Sequence, residues 1–226
     1  MLEAMFNLIY PKICYACGEA ISGNINNICI SCRAELAYIN DKDFENNPIQ
    51  KLFYGRVTFE KATAFVRFEK NGKMQKLLHA LKYKGIKEVG ITLGELAALD
   101  VGTTGFFDGI DLVVPVPIHA KKLKKRGYNQ SHFIAEGIRN ITDLPVDLTS
   151  IQKELNTASQ TRKKRFERFE NVTKTFTLES STPLKGKHIL LVDDVVTTGS
   201  TLEACANVLQ KIDSVKLSLL TISATY

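Results

Sequence analysis

Two groups of residues have types and spacings suited to chemistry. The first is Ile189-Leu-Leu-Val-Asp193-Asp194-Val195-Val196-Thr197-Thr198-Gly199-Ser200-Thr201-Leu202. An apolar run leads into two adjacent carboxylates, then a turn rich in Thr, Gly and Ser, then a helical pattern. Such a turn offers unpaired backbone N–H groups and hydroxyls at a helix N-terminus, a nest for a phosphate. Gly199 lets the backbone come close to the anion. Asp193 and Asp194 can accept hydrogen bonds from a ribose diol or hold a magnesium-bound ligand. Phosphate and paired hydroxyls on one small molecule point to a ribose 5-phosphate. The plain alternative is a strand followed by a Thr/Ser-capped helix, with the acids as loop residues. A P-loop NTPase is disfavoured because no Gly-x4-Gly-Lys-Ser/Thr occurs, and the chain also lacks Gly-x-Gly-x-x-Gly.

The second group is the quartet Cys14-x2-Cys17 and Cys29-x2-Cys32. Each pair places two sulfurs on one side of a tight loop, and two pairs complete a tetrahedral thiolate site for zinc. Two disulfides are the alternative, which a cytosolic address opposes. With four thiolates no position stays open for water, so the expected site is structural. Residues 1–38 are too few to bury a core, and a metal would replace the missing apolar stabilisation. A short hairpin is expected around Gly23-Asn24. Cys205 falls in an apolar helical pattern and reads as core.

The elements that must position these groups follow from hydrophobic periodicity. Ala62–Phe68 reads as a strand. Met74, Leu77, Leu78 and Leu81 mark an amphipathic helix that stops near Gly85. Helix is expected over 87–99, strand over 111–117, and helix around Phe133, Ile134 and Ile138. His188–Val192 reads as a doubly buried strand, Leu202 to Ile212 as a helix, and Leu217–Ile222 as the last strand. Alternating strands and helices predict an α/β fold with a mostly parallel sheet. Ligands of such sheets bind at the carboxyl ends of the strands. The expected division is 1–38 as a metal module with an N-terminal helix, 39–58 as a polar linker, and 59–226 as the main domain.

The chain has 226 residues, 44% hydrophobic and 24% charged, with net charge +6. This is globular composition, which excludes disordered and collagen-like classes. No apolar run reaches the ~18 residues of a membrane span, so no membrane insertion is expected. The start of the chain has no basic n-region, so a cytoplasmic location is expected. The charge excess is local. Residues 119–168 hold twelve Lys/Arg against five acids, and the remainder is nearly balanced. An anionic partner or a pair of solvated helix faces would explain this. Lys121, Lys122, Lys124 and Lys125, with Arg162, Lys163, Lys164 and Arg165, are candidate contacts to nucleic-acid phosphates. Phe166 and Phe169 are either stacking groups or core, and Tyr128 is either a stacking group or packing. His79, Lys82 and Tyr83 read equally as a solvated face or as ligand contacts.

The segment 189–201 resembles the PRPP-binding motif of type I phosphoribosyltransferases. Val113-Val-Pro-Val-Pro117 is followed by Arg126-Gly-Tyr-Asn-Gln130. Thr157-x-x-Gln160, Arg168-x-x-Asn171 and Phe176 follow, and Leu78–Gly85 is a further matching feature. With the four cysteines, these resemble the ComF family of phosphoribosyltransferase-like competence proteins over essentially the whole chain. Leu155, Lys163 and Asp213-Ser214 depart from the family pattern. The resemblance implies a type I phosphoribosyltransferase-like fold with a small N-terminal zinc module. It also implies catalytic roles for Asp193, Asp194 and Arg126, and phosphate or PRPP contacts from Val195 to Thr201, Gln160 and Arg168. Arg126 and neighbouring lysines would stabilise a pyrophosphate leaving group, with Mg2+ arriving with PRPP. The implied role is handling of single-stranded DNA in natural transformation, alongside a competence helicase or another DNA-processing protein. The other expectation is an active Mg-dependent phosphoribosyltransferase of nucleotide metabolism with no DNA role and an unnamed acceptor.

Overall fold

The computed structural model describes residues 11–21, 27–40, 43–153 and 176–225. The expected N-terminal helix, the Gly23-Asn24 hairpin, Phe166, Phe169, Gln160, Arg162, Lys163, Lys164, Arg165 and Arg168 lie outside them. Four strands, β1 (Ala62–Arg67), β2 (Leu112–Pro115), β5 (His188–Val196) and β6 (Lys216–Ala224), form a parallel sheet in the order β1-β6-β5-β2. Residues Ile189–Val192, Leu219 and Leu220 are fully buried, as strands covered on both faces require. A separate antiparallel pair joins β3 (Ile151–Lys153) to β4 (Phe176–Leu178).

Helix α3 (Lys73–Tyr83) buries Met74, Leu77, Leu78 and Leu81, the face set by their spacing. Helices α4 (Lys87–Gly102) and α6 (Gln130–Thr142) pack backbone against backbone. A Cβ at Gly94 would stand 2.1 Å from the Ile134 carbonyl oxygen, and one at Gly137 2.1 Å from that of Ile91. Only glycine permits this approach. On the other face, α7 (Ser200–Leu209) buries Leu202, Cys205, Ala206 and Leu209 against β5 and β6. Cys205 is core, as expected.

Three local features refine or change the sequence reading. The basic stretch after β2 is a helix, α5 (Ala120–Arg126). His119 caps it by accepting from the Lys121 N–H, and Gly127 ends it at φ 82°. Strand β5 runs through Val196, past the expected end at Val192, so both aspartates lie on the strand itself. The stretch expected to be a polar linker contains α2 (Pro48–Lys51), and Ile49 and Phe53 are buried in the core shared with α7. Asn47 explains that entry: its side chain caps α2 and also donates to the Ala62 carbonyl at 2.6 Å. The first helix among the described residues, α1 (Ile30–Ala34), begins directly after Cys29.

Candidate functional site

The carboxyl ends of β2 and β5 are adjacent. Val116 N–H extends their pairing by donating to Val192 at 2.8 Å. The residues between α5 and α6 then lock the site. Gly127 turns the chain, and Asn129 caps α6 by accepting from the Ser131 N–H while donating to the Val116 carbonyl at 3.0 Å. Tyr128 is buried and its hydroxyl donates to the Leu81 carbonyl. It is therefore packing rather than a stacking platform. Gln130 accepts from Arg126. Ser131 Oγ donates to Asp193 Oδ1 at 2.8 Å, and the Asp194 N–H donates to the same oxygen at 2.9 Å.

Asp194 is 5% exposed, and its Oδ2 ion-pairs with Lys82 Nζ at 2.7 Å. Lys82 sits in the last turn of α3, whose end Tyr128 holds. Asp193 is half-buried on the same edge. Burial first, and then the neighbouring Asp194 charge, push its carboxyl up to about 7. Adjacent buried carboxylates raise one another in this way.

A cavity of 250 Å³ opens beside this pair, with Lys82, Lys122, Arg126, Lys153, Tyr83, Gln130 and Thr201 among its walls. Four cations face two carboxylates there, which suits a ligand carrying several negative charges. Burial lowers the Lys153 pKa, partly opposed by Asp193, and Lys153 Nζ lies 4.8 Å from the Phe176 ring centroid. Arg126 stands over the Tyr83 ring at 5.7 Å. Lys121, Lys124 and Lys125 are exposed on α5, and of the lysines expected to face nucleic acid only Lys122 among the described residues lines the cavity.

The Thr197–Thr201 turn leads into α7. Gly199 adopts φ 76°, the left-handed region that favours glycine. A Cβ there would also meet Phe53 at 2.8 Å. Thr197, Thr198, Ser200 and Thr201 are exposed, with Thr198 Oγ1 3.0 Å from Ser200 Oγ. The first N–H groups of α7 have no partner inside the helix, so the turn presents donors outward. Arg56 braces it from below, ion-pairing with Glu203 at 2.8 Å and reaching the Thr198 carbonyl at 3.4 Å.

Sequence reasoning singled out the two aspartates, Arg126 and the turn, but assigned no role to Ser131, Lys153, Phe53 or Arg56, and left Lys82 open. Leu78–Gly85 was the available signal for Lys82. Nothing in spacing pointed to Phe53 or Arg56.

Against the start of α3, the sulfurs of Cys14, Cys17, Cys29 and Cys32 lie within 4.8 Å of one another, with Cys17 and Cys29 at 3.9 Å. Metal–sulfur bonds of about 2.3 Å in a tetrahedron put sulfurs ~3.8 Å apart, so the four residues fit a tetrahedral metal. Gly18, at φ 88°, folds the first knuckle back, and the Cys29 N–H points at Cys14 Sγ at 3.4 Å. Burial resists ionisation of Cys14, yet backbone N–H groups led by that of Cys29 bring its pKa down to about 6. Burial pushes Cys32 up to about 12, although Lys73 Nζ donates to its sulfur at 3.2 Å. Four crowded thiols cannot all ionise without a cation, which a bound metal supplies.

Residues 123–222 match the phosphoribosyl transferase domain. The DNA utilization protein YhgH of Escherichia coli K12 is 32% identical over 136 residues, 59% of each chain. The chain therefore matches about three fifths of the length of that relative. The competence protein ComFC of Bacillus subtilis is 26% identical over 201 residues, 88% of this chain and 78% of its own. Competence protein F of Haemophilus influenzae is 31% identical over 119 residues, 52% of each. A solved glutamine PRPP amidotransferase from B. subtilis aligns at 19% identity and TM-score 0.41, covering 57% of this chain and 25% of its own. Residues 123–222 are thus similar to phosphoribosyl transferase domains, and the chain as a whole is similar to the competence proteins ComFC and F and to YhgH.

Proposed function

We propose that this protein binds PRPP or another ribose 5-phosphate and serves natural transformation by handling single-stranded DNA in the cytoplasm. The observation that carries the ligand is the convergence of the Asp193–Asp194 pair, Thr201 at the end of the Thr197–Thr201 turn, and four cations on one 250 Å³ cavity. The turn would take the 5-phosphate and the aspartates the ribose hydroxyls. Arg126, Lys122 and Lys153 would face a pyrophosphate, with Mg2+ accompanying it. Gln160 and Arg168 would add contacts from the segment between β3 and β4. The cysteine quartet would hold a structural zinc ion. The names of the relatives support the DNA role, and the exposed α5 lysines, with Arg162–Arg165, would supply phosphate contacts. Such contacts predict affinity that falls steeply with salt.

Calorimetric titration of the zinc-loaded protein with ribose 5-phosphate and PRPP tests the site. Binding at micromolar to millimolar ligand is expected. Gly199→Ala should weaken it at least tenfold, because a Cβ both strains φ 76° and strikes Phe53. Absence of heat with either ligand at several millimolar would overturn the assignment.

A further inference from the structure

The acidic pair already has a cation. Lys82 Nζ lies 2.7 Å from Asp194 Oδ2, the Lys82 side chain is 22% exposed and that of Asp194 7%. The contact is not an incidental surface pair. The end of α3 that carries Lys82 is pinned by the Tyr128 hydroxyl on the Leu81 carbonyl. Asp194 is held by β5 and by its own N–H on Asp193. A Mg2+ ion requires near-octahedral ligands at about 2.0–2.1 Å. Seated on Asp194 Oδ2 it would collide with the ammonium and be repelled by it. The remaining polar capacity suits a different guest. Asp193 Oδ1 already accepts from Ser131 and from Asp194 N–H. Among the described residues, no hydrogen bond reaches Asp193 Oδ2 or either oxygen of Asp194, whose buried Oδ2 is met by the Lys82 charge alone, so each carboxylate keeps an oxygen for one of the two hydroxyls of a diol.

We propose that Lys82 is the resident countercation of the Asp193–Asp194 pair, so that a ribose 5-phosphate binds with no divalent ion at the carboxylates. This rests on the ribose-phosphate reading above. Mg2+ then enters only with a ligand that brings its own pyrophosphate. Lys82 acts as a positioning residue: its ammonium, 2.7 Å from Oδ2, holds the Asp194 carboxylate in place when the diol arrives.

The test is titration of ribose 5-phosphate into zinc-loaded wild type, Lys82→Met and Lys82→Arg. Each is measured without free divalent ions and again with 5 mM Mg2+, a level on the order of that used for loosely held Mg2+ sites. Wild type and Lys82→Arg should bind equally under both conditions, within about twofold. Lys82→Met should lose about tenfold or more without Mg2+ and regain most of it when the ion fills the vacated charge. That Mg2+-dependent rescue is a response a merely misfolded variant would not give. Wild-type binding that requires Mg2+, or Lys82→Met binding as well as wild type without it, would overturn the Lys82 assignment and leave the ribose-phosphate site standing. No binding to wild type under either condition would remove both.

Discussion

Asp193 makes the site sensitive to pH. Its carboxyl is raised from 3.8 to about 7 by burial and by Asp194. A raised carboxyl favours the protonated form in the fold, so its contribution to stability is complete below about pH 4. That contribution is lost as pH rises through about 7. Asp193→Asn, which removes the charge but keeps an acceptor for Ser131, should therefore melt above wild type at pH 8. The gap should shrink towards pH 5, which thermal melts at several pH values would read. A gap that does not change with pH would mean that Asp193 is ionised in the fold throughout. The residues visible in sequence as chemistry, Asp193, Asp194 and Thr197–Thr201, were legible because their spacing is local. Lys82 and Ser131 reach the pair from 112 and 62 residues away in number, and no periodicity reports a contact at that distance.

At the scale of elements, the site depends on how closely α4 and α6 approach. Helix α6 starts at the Asn129 cap and carries Ser131 in its first turn, so its position fixes the hydrogen bond to Asp193. Gly94 and Gly137 let the backbones meet, with no room for a methyl group on either side. Gly137→Ala would normally favour a helix by up to about 1 kcal/mol. Here the added carbon would stand 2.1 Å from the Ile91 carbonyl oxygen and 2.9 Å from the Glu95 nitrogen, both rigid backbone. Net destabilisation of about 3 kcal/mol or more is expected from overpacking, read as a lower urea midpoint. A neutral result would show that the helices separate cheaply. Sequence periodicity gave the existence of both helices, because Phe133, Ile134 and Ile138 repeat at helical spacing. It left α5 open, as a solvated helix face or as contacts to an anion, because Lys121–Arg126 has no apolar face to mark a helix. There the His119 cap and Gly127 stop decide the structure. Likewise Ile49 and Phe53 are too few to mark core, and Asn47 draws them in through a bond to a strand carbonyl.

At the scale of the whole molecule, the cysteine module and the sheet share one core. Cys14, Ala16, Ile28, Cys32 and Leu36 are buried in the same cluster as Phe65, Met74, Leu78 and Leu96. Polar contacts cross the same boundary. Asn27 donates to Thr92 Oγ1 at 2.9 Å, Lys73 bridges Cys32 and Glu35, and the chain after the module pairs with β1 at Tyr38 and Val66. No helix among the described residues is long and apolar enough to cross a membrane. Metal in such a quartet contributes folding free energy directly, about 10–16 kcal/mol in isolated finger peptides. If that energy were confined to the module, stripping the metal would produce a separate early transition and leave the main one unmoved. The shared cluster predicts the other outcome. Chelation should remove one zinc per chain, counted by elemental analysis. It should also move a single cooperative unfolding transition down by about 10 °C or more, since a chain of this size shifts ~2–4 °C per kcal/mol. Scanning calorimetry with and without chelator distinguishes the two, and a split transition would show that the module and the sheet fold independently despite their contacts.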